Sequence, residues 1–206
     1  MQTEAGTPLT TSTRPSRTGP LGRNVLLRRL ALVAVLGYAT DQGSKAWAVA
    51  ALDPGVPQRI LGPVLQLRLI RNPGAAFSMA TNATWVLTLI AIIVIAATLV
   101  AARRLGSAGW AVALGLLLAG AIGNLTDRFV REPGAGQGHV IDFLELPRWP
   151  IFNVADMCVV SAAALIALLA VRGVGLDGRT GDKDQSTAAD AESKAVSNSN
   201  GSDGDD

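Results

Sequence analysis

WVLTLIAIIVIAATLVAA (85–102) runs eighteen residues without a charge or a helix breaker. A helix that crosses a bilayer needs about 20 consecutive, mostly apolar residues, so this stretch reads as a membrane span and sets the class of the chain. A second uncharged run follows from about Ser107 to Thr126. Two further runs contain ionisable residues. One extends from about Leu26 to Leu52 with Asp41 and Lys45, the other from about Ile151 to Val171 with Asp156 near its start. These two cross only if their charges face protein or water. The expected fold class is therefore membrane all-α: four transmembrane helices with a small extracytoplasmic β-sheet segment between helices 1 and 2.

Composition agrees. The 206 residues are 49% hydrophobic and only 17% charged, with a mean hydropathy of +0.34, and the apolar residues are concentrated in a few runs. A net charge of +2 is too small to argue for nucleic acid. The single cysteine, Cys158, excludes an intrachain disulfide and reads as a packing residue. His139 is also alone, so no multi-histidine metal site is expected.

Three units are expected along the chain. Residues 1–24 read as a disordered cytoplasmic tail, 25–172 as a four-span domain, and 173–206, rich in Asp, Gly, Ser and Asn, as a disordered acidic cytoplasmic tail. Arg23, Arg28 and Arg29, then Arg103 and Arg104, then Arg172 and Arg179 fall on one side of four spans, which the positive-inside rule makes cytoplasmic. The outer segment 53–80 alternates well enough for a strand around Val64 to Ile70 and then turns at Asn72-Pro73-Gly74. The outer segment 130–150 holds Gly134, Gly136 and Gly138, then a strand-like His139-Val140-Ile141-Asp142-Phe143. It could cover a site.

Two carboxylates stand out. Asp127 closes the third run in GNLTDRF (123–129), and Asp156 opens the fourth in FNVAD (152–156). Antiparallel spans bring them to similar depth near the outer face. Two carboxylates in close contact share a proton, so one can deprotonate water while the other polarises a carbonyl. That is what an aspartic peptidase needs. The spacing is equally compatible with each aspartate capping a helix or pairing with Arg128. Asn124 and Asn153 each precede an aspartate by three residues, where an amide can orient a carboxylate or serve as an ordinary polar terminus. Asp41 and Lys45 share a helix face and read as a structural ion pair, with Gln42 able to join it. Zinc, serine-nucleophile and phosphate-loop motifs are absent from the sequence.

In order along the chain stand Asp41-Gln42 with Lys45; Asn72-Pro73-Gly74-Ala75-Ala76-Phe77-Ser78; Gly123-Asn124-Leu125-Thr126-Asp127-Arg128; Val140-Ile141-Asp142-Phe143; and Phe152-Asn153-Val154-Ala155-Asp156. Together, over about residues 25–172, they resemble the bacterial lipoprotein signal peptidases, the type II signal peptidases. The resemblance implies a four-span aspartic endopeptidase that cuts prolipoproteins just before a cysteine already carrying diacylglycerol. By motif, Asp127 and Asp156 would be the catalytic pair. Asn72, Gly74, Asn124, Arg128, Asn153 and Ala155 would line or support the site, and Asp41 with Lys45 would serve structure. No metal or cofactor is expected. The partners implied are the diacylglyceryl-prolipoprotein and membrane lipid, with globomycin as inhibitor and no nucleic acid. A monomer is expected, in the bacterial cytoplasmic membrane, with both termini inside and the site near the outer face. Thr126 and Met157 depart from the family pattern without removing a charge or a donor.

Overall fold

The computed structural model describes residues 22–74 and 84–179. The elements in order are α1 (Arg23–Ala51), β1 (Gln58–Leu61), β2 (Leu65–Asn72), α2 (Thr84–Ala102), α3 (Ala108–Val130), β3 (Val140–Glu145) and α4 (Val154–Val171). The expectations for residues 1–21, for Ala75, Ala76, Phe77 and Ser78, and for the chain after Arg179 lie outside the described residues.

Helix α3 is the centre of the bundle and packs against α1, α2 and α4. Small residues make this possible, because they let helix backbones approach closely. A Cβ built on Gly115 would lie 2.8 Å from the Leu30 carbonyl oxygen of α1. One on Gly120 would strike the Ala155 carbonyl of α4, and one on Gly123 would lie 2.5 Å from Asp41 Oδ2. The outward side chains of α2 and α4 are the opposite in character. Ile92, Ile93, Leu99, Val100, Val160 and Leu168 are large, apolar and exposed, a surface suited to lipid rather than water.

Three helices are long and apolar enough to cross a membrane by length and composition: α2, α3 and α4. The expectation of four spans thus meets four helices, of which α1 does not pass on composition. Its 29 residues include Arg23, Arg28, Arg29, Asp41 and Lys45. Asp41 and Lys45 are nonetheless fully buried against the bundle, not presented outward.

The sheet is three-stranded and antiparallel in the order β1-β2-β3. The expectation that it lies between helices 1 and 2 needs correcting, because β3 comes from the segment between α3 and α4. Asn72 pairs with Val140, Arg71 with Ile141 and Ile70 with Asp142. The physical reason is burial. Ile141 and Phe143 join Leu69 on one face of the sheet and close over Ala48 and Leu52 at the end of α1. Trp47 meets Phe143 edge to face, with ring centroids 6.5 Å apart. The sheet therefore caps the end of the bundle where α3 stops and α4 begins.

At the opposite end, residues 173–179 fold back on the bundle, so the tail expected from 173 begins with packed residues. The Gly106 N–H donates to the Leu176 carbonyl at 2.9 Å, Trp110 Nε1 donates to the Val174 carbonyl at 2.9 Å, and Leu176 packs on the cluster of Leu26, Leu30 and Leu105.

Gly123→Ala is expected to destabilise the bundle by about 1–3 kcal/mol through overpacking. Gly43→Ala, where an added Cβ meets nothing within 4 Å, is expected to be neutral or stabilising by up to about 1 kcal/mol. Thermal unfolding of the two variants in detergent checks the contrast.

Candidate active site

Lys45 organises the polar interior. Its ammonium is fully buried, 2.9 Å from Asp41 Oδ2 on its own helix and 2.8 Å from Asp127 Oδ2 on α3. It also donates to Asn124 Oδ1 at 3.2 Å. Three acceptors match the three N–H bonds of an ammonium, and a buried charge needs such pairing. Asp41 extends the network to α4, since its Oδ1 accepts the Ala155 N–H at 2.8 Å. Gln42 Nε2 donates to Asp41 Oδ2 and to the Gly123 carbonyl.

Asp127 lies within α3, not beyond its end, and is 1% exposed. Besides Lys45 it accepts Arg131 Nε on Oδ1 at 2.7 Å and the Ile141 N–H on Oδ2 at 3.3 Å. Two cations and a backbone amide therefore saturate it.

Asp156 is half-buried in the first turn of α4. Asn153 is the N-cap, and the two residues form a reciprocal capping box. Asn153 Oδ1 accepts the Asp156 N–H at 2.9 Å, while Asp156 Oδ2 accepts the Asn153 N–H at 3.2 Å. Asn124 Nδ2 donates to Asp156 Oδ1 at 2.8 Å.

A third carboxylate joins them. Asp142 on β3 is 2% exposed. It accepts Asn72 Nδ2 and Asn153 Nδ2, each at 2.7 Å. Its pKa is raised to about 6: burial is the main cause and the charge of Asp156 adds to it, while the hydrogen bonds from Asn72 and Asn153 and the charge of Lys45 oppose the rise. Asn153 therefore touches both Asp142 and Asp156. Among the described residues a path of polar contacts from Asp127 to Asp156 runs through Lys45 and Asn124.

The other expected residues have distinct positions. Asn72 ends β2 and is held by its own turn, since Asn72 Oδ1 accepts the Gly74 N–H at 2.8 Å. Ala155 is fully buried and contributes its backbone N–H rather than its side chain. Arg128 is 7% exposed and lies within electrostatic reach of Asp142, Asp127 and Asp156. Among the described residues its Nη1 has no hydrogen-bond partner. Arg131 was not singled out by the sequence; its i,i+4 spacing from Asp127 was the available signal. The sequence placed Asp142 in a strand-like segment and a family motif without giving it a catalytic role. The stronger clue was a carboxylate inside a strand whose neighbours Val140, Ile141 and Phe143 are all apolar and all buried. Among the described residues no three His, Cys, Asp or Glu side chains are grouped to hold a metal ion. His139 instead lines a separate cleft with Arg71, Glu132 and Pro133.

A family model described as Signal peptidase (SPase) II matches residues 33–172. A lipoprotein signal peptidase of Rhodococcus jostii (strain RHA1) is 48% identical over 166 residues, 80% of this chain and 84% of the relative. That of Mycobacterium avium (strain 104) is 51% identical over 162 residues, 78% and 89% of the two chains. A solved bacterial membrane enzyme, determined in meso at 1.9 Å, superposes with a TM-score of 0.62 at 27% identity. It covers 69% of this chain and 92% of its own.

The two buried carboxylates respond in opposite ways to neutralisation. Asp127→Asn leaves Lys45 and Arg131 short of a counter-charge and is expected to cost about 3–5 kcal/mol. Asp142 binds its proton more tightly folded than unfolded. Its contribution to stability therefore falls as pH rises from the ordinary 3.8 to about 6, and is lost above that. Asp142→Asn is expected to remove this decline and, at neutral pH, to melt close to wild type. Unfolding in detergent across pH 4–8 (a span set around about 6) checks both.

Proposed function

We propose that this chain, which belongs to the signal peptidase II family, removes signal peptides from diacylglyceryl-modified prolipoproteins by cutting before the lipidated cysteine. The reaction is aspartic peptide hydrolysis, and the working pair is Asp142 with Asp156. This departs from the sequence expectation, which paired Asp127 with Asp156. The observation that carries the change is the bridging amide of Asn153, 2.7 Å from Asp142 and capped onto Asp156. Asp127 is instead engaged by Lys45 and Arg131, one on each carboxylate oxygen.

The chemistry follows from the two environments. Asp142, raised by burial, carries the shared proton and donates it toward the scissile carbonyl oxygen. Asp156, half-buried where Asp142 is enclosed, takes the proton from the attacking water. Collapse of the tetrahedral intermediate breaks the C–N bond: Asp156 passes the water's proton to the leaving amine and a hydroxyl of the intermediate returns its proton to Asp142, which regenerates the pair. Arg128 Nη1, buried and unpartnered among the described residues, supplies a donor for a substrate carbonyl or the developing oxyanion. Asn72 holds Asp142 and, with Gly74, forms the turn beside it. Asn124 and Asn153 orient the carboxylates, and Ala155 serves through its backbone.

The membrane arrangement fits that substrate. All four helices cross in this reading, α1 included, because Asp41 and Lys45 neutralise each other inside the bundle. Both termini then lie in the cytoplasm, with Asp156 at the outer end of α4 and Asp142 in the sheet that caps the same end of the bundle. A signal helix in the bilayer, followed by a cysteine whose lipid sits in the outer leaflet, meets the pair at its own depth. Globomycin is expected to inhibit, and the chain to act as a monomer, with the tails outside the catalytic unit.

The test is a gel-shift assay with a lipidated prolipoprotein beside its unlipidated form. Wild type is expected to cut only the lipidated one. Asp142→Asn and Asp156→Asn are expected to accumulate in the membrane and lose cleavage by about 10⁴-fold or more. Wild-type rates in either variant would overturn the assignment. Because Asp142 must hold its proton, kcat/KM is expected to fall as pH rises through about 6. Asn72→Ala removes a hydrogen bond that favours the ionised form, so it should move that alkaline limb to higher pH.

A further inference from the structure

We infer that Lys45 is a positioning residue for the reaction, acting through Asn124: its buried ammonium fixes which way the Asn124 amide faces and so delivers an N–H to Asp156. The inference rests on the Asp142–Asp156 reading above.

A side-chain amide has one accepting end and one donating end, and reversing it exchanges the two. Asn124 sits between groups that demand opposite ends. On one side is Lys45 Nζ, which can only donate, 3.2 Å from Asn124 Oδ1. On the other is the Asp156 carboxylate, 2.8 Å from Asn124 Nδ2. With the ammonium present, only one orientation satisfies both. A reversed amide would point two donors at each other and two acceptors at each other.

The fixed orientation propagates. Asn124 Oδ1 also accepts Asn153 Nδ2 at 3.2 Å, and the same Nδ2 donates to Asp142 Oδ1. Asn153 Oδ1 is then left to accept the Asp156 N–H. The ammonium thus fixes Asn124 from one side as Asp156 does from the other, and Asn124 and Asn153 between them serve both carboxylates. The charged groups around Asn124 are Asp41 and Lys45 on α1, Asp127 and Arg128 on α3, Asp142 on β3 and Asp156 on α4. Lys45 is the one that donates to Asn124 itself. An ion pair that only held α1 to α3 would need Asp41 and Asp127 alone. The third bond, to Asn124, connects the pair to the chemistry.

The test is a double-mutant cycle on kcat, KM and the pH–rate profile, using full-length protein in detergent and a lipidated prolipoprotein. Asn124→Ala is expected to lower kcat by about 100-fold with little change in KM, as expected for a misplaced catalytic group, and to displace the pH profile. Lys45→Met is expected to do the same in direction and size, and to add nothing in the Asn124→Ala background. If Lys45→Met fails to accumulate, the same cycle is run on Asp127→Asn, where the lysine's removal leaves one fewer unpaired charge. Independent, multiplying effects, or a Lys45→Met enzyme with a wild-type pH profile, would overturn the inference and leave Lys45 a purely structural residue. Failure of the parent reading is separate: it shows as cleavage by Asp142→Asn or Asp156→Asn, whatever the cycle gives.

Discussion

A buried ammonium with three acceptors around it is the constraint on which the rest of the structure depends. Lys45 lies fully inside the bundle, within 2.9 Å of two carboxylates from different helices. Charges in such surroundings are tolerated only when paired and hydrogen-bonded. Meeting that demand fixes four elements at once. Asp41 binds the Ala155 amide at the start of α4, Asp127 takes the Ile141 amide of β3, and Asn124 reaches Asp156. The glycine at 123 is part of the same arrangement, because a side chain there would displace Asp41.

The three carboxylates near the sheet divide their labour by environment. Asp127 has cations on both oxygens and is almost fully buried, which fits a structural part in the proposed reading. Asp142 is equally buried, yet the groups on it are neutral amides. The Asn72 and Asn153 amides and the charge of Lys45 offset only part of the cost of its burial, and it is pushed toward the neutral acid. Asp156 is the least enclosed of the three. Folding alone would not favour Asp142 in a buried strand; such a liability is typical of a functional position.

Much of this was legible in the sequence. The uncharged runs marked α2 and α3, and the ordered short motifs marked the family. The offsets of three between Asn124 and Asp127, and between Asn153 and Asp156, pointed to the right end of the bundle. They did not mean the same thing. The first is a helical i,i+3 pair, whereas the second is a capping box, because α4 begins only at Val154. The role proposed for Asp142 was out of reach for a simple reason. Whether a carboxylate is neutralised depends on partners distant in sequence, and Lys45 is 82 positions from Asp127. Pairing of β3 with β2, 70 residues from Asn72 to Asp142, is likewise a tertiary event that no local pattern announces. The charges on α1 have the same lesson: they spoil its composition as a span, and only their burial against α3 explains how they are carried.

The most direct measurement of the central claim is a structure of the enzyme with a peptide analogue bearing a hydroxyl in place of the scissile carbonyl, which mimics the tetrahedral intermediate. The account expects that hydroxyl to hydrogen-bond both Asp142 and Asp156, with Asp127 still held by Lys45 and Arg131. A hydroxyl seated between Asp127 and Asp156, with Lys45 displaced, would contradict it.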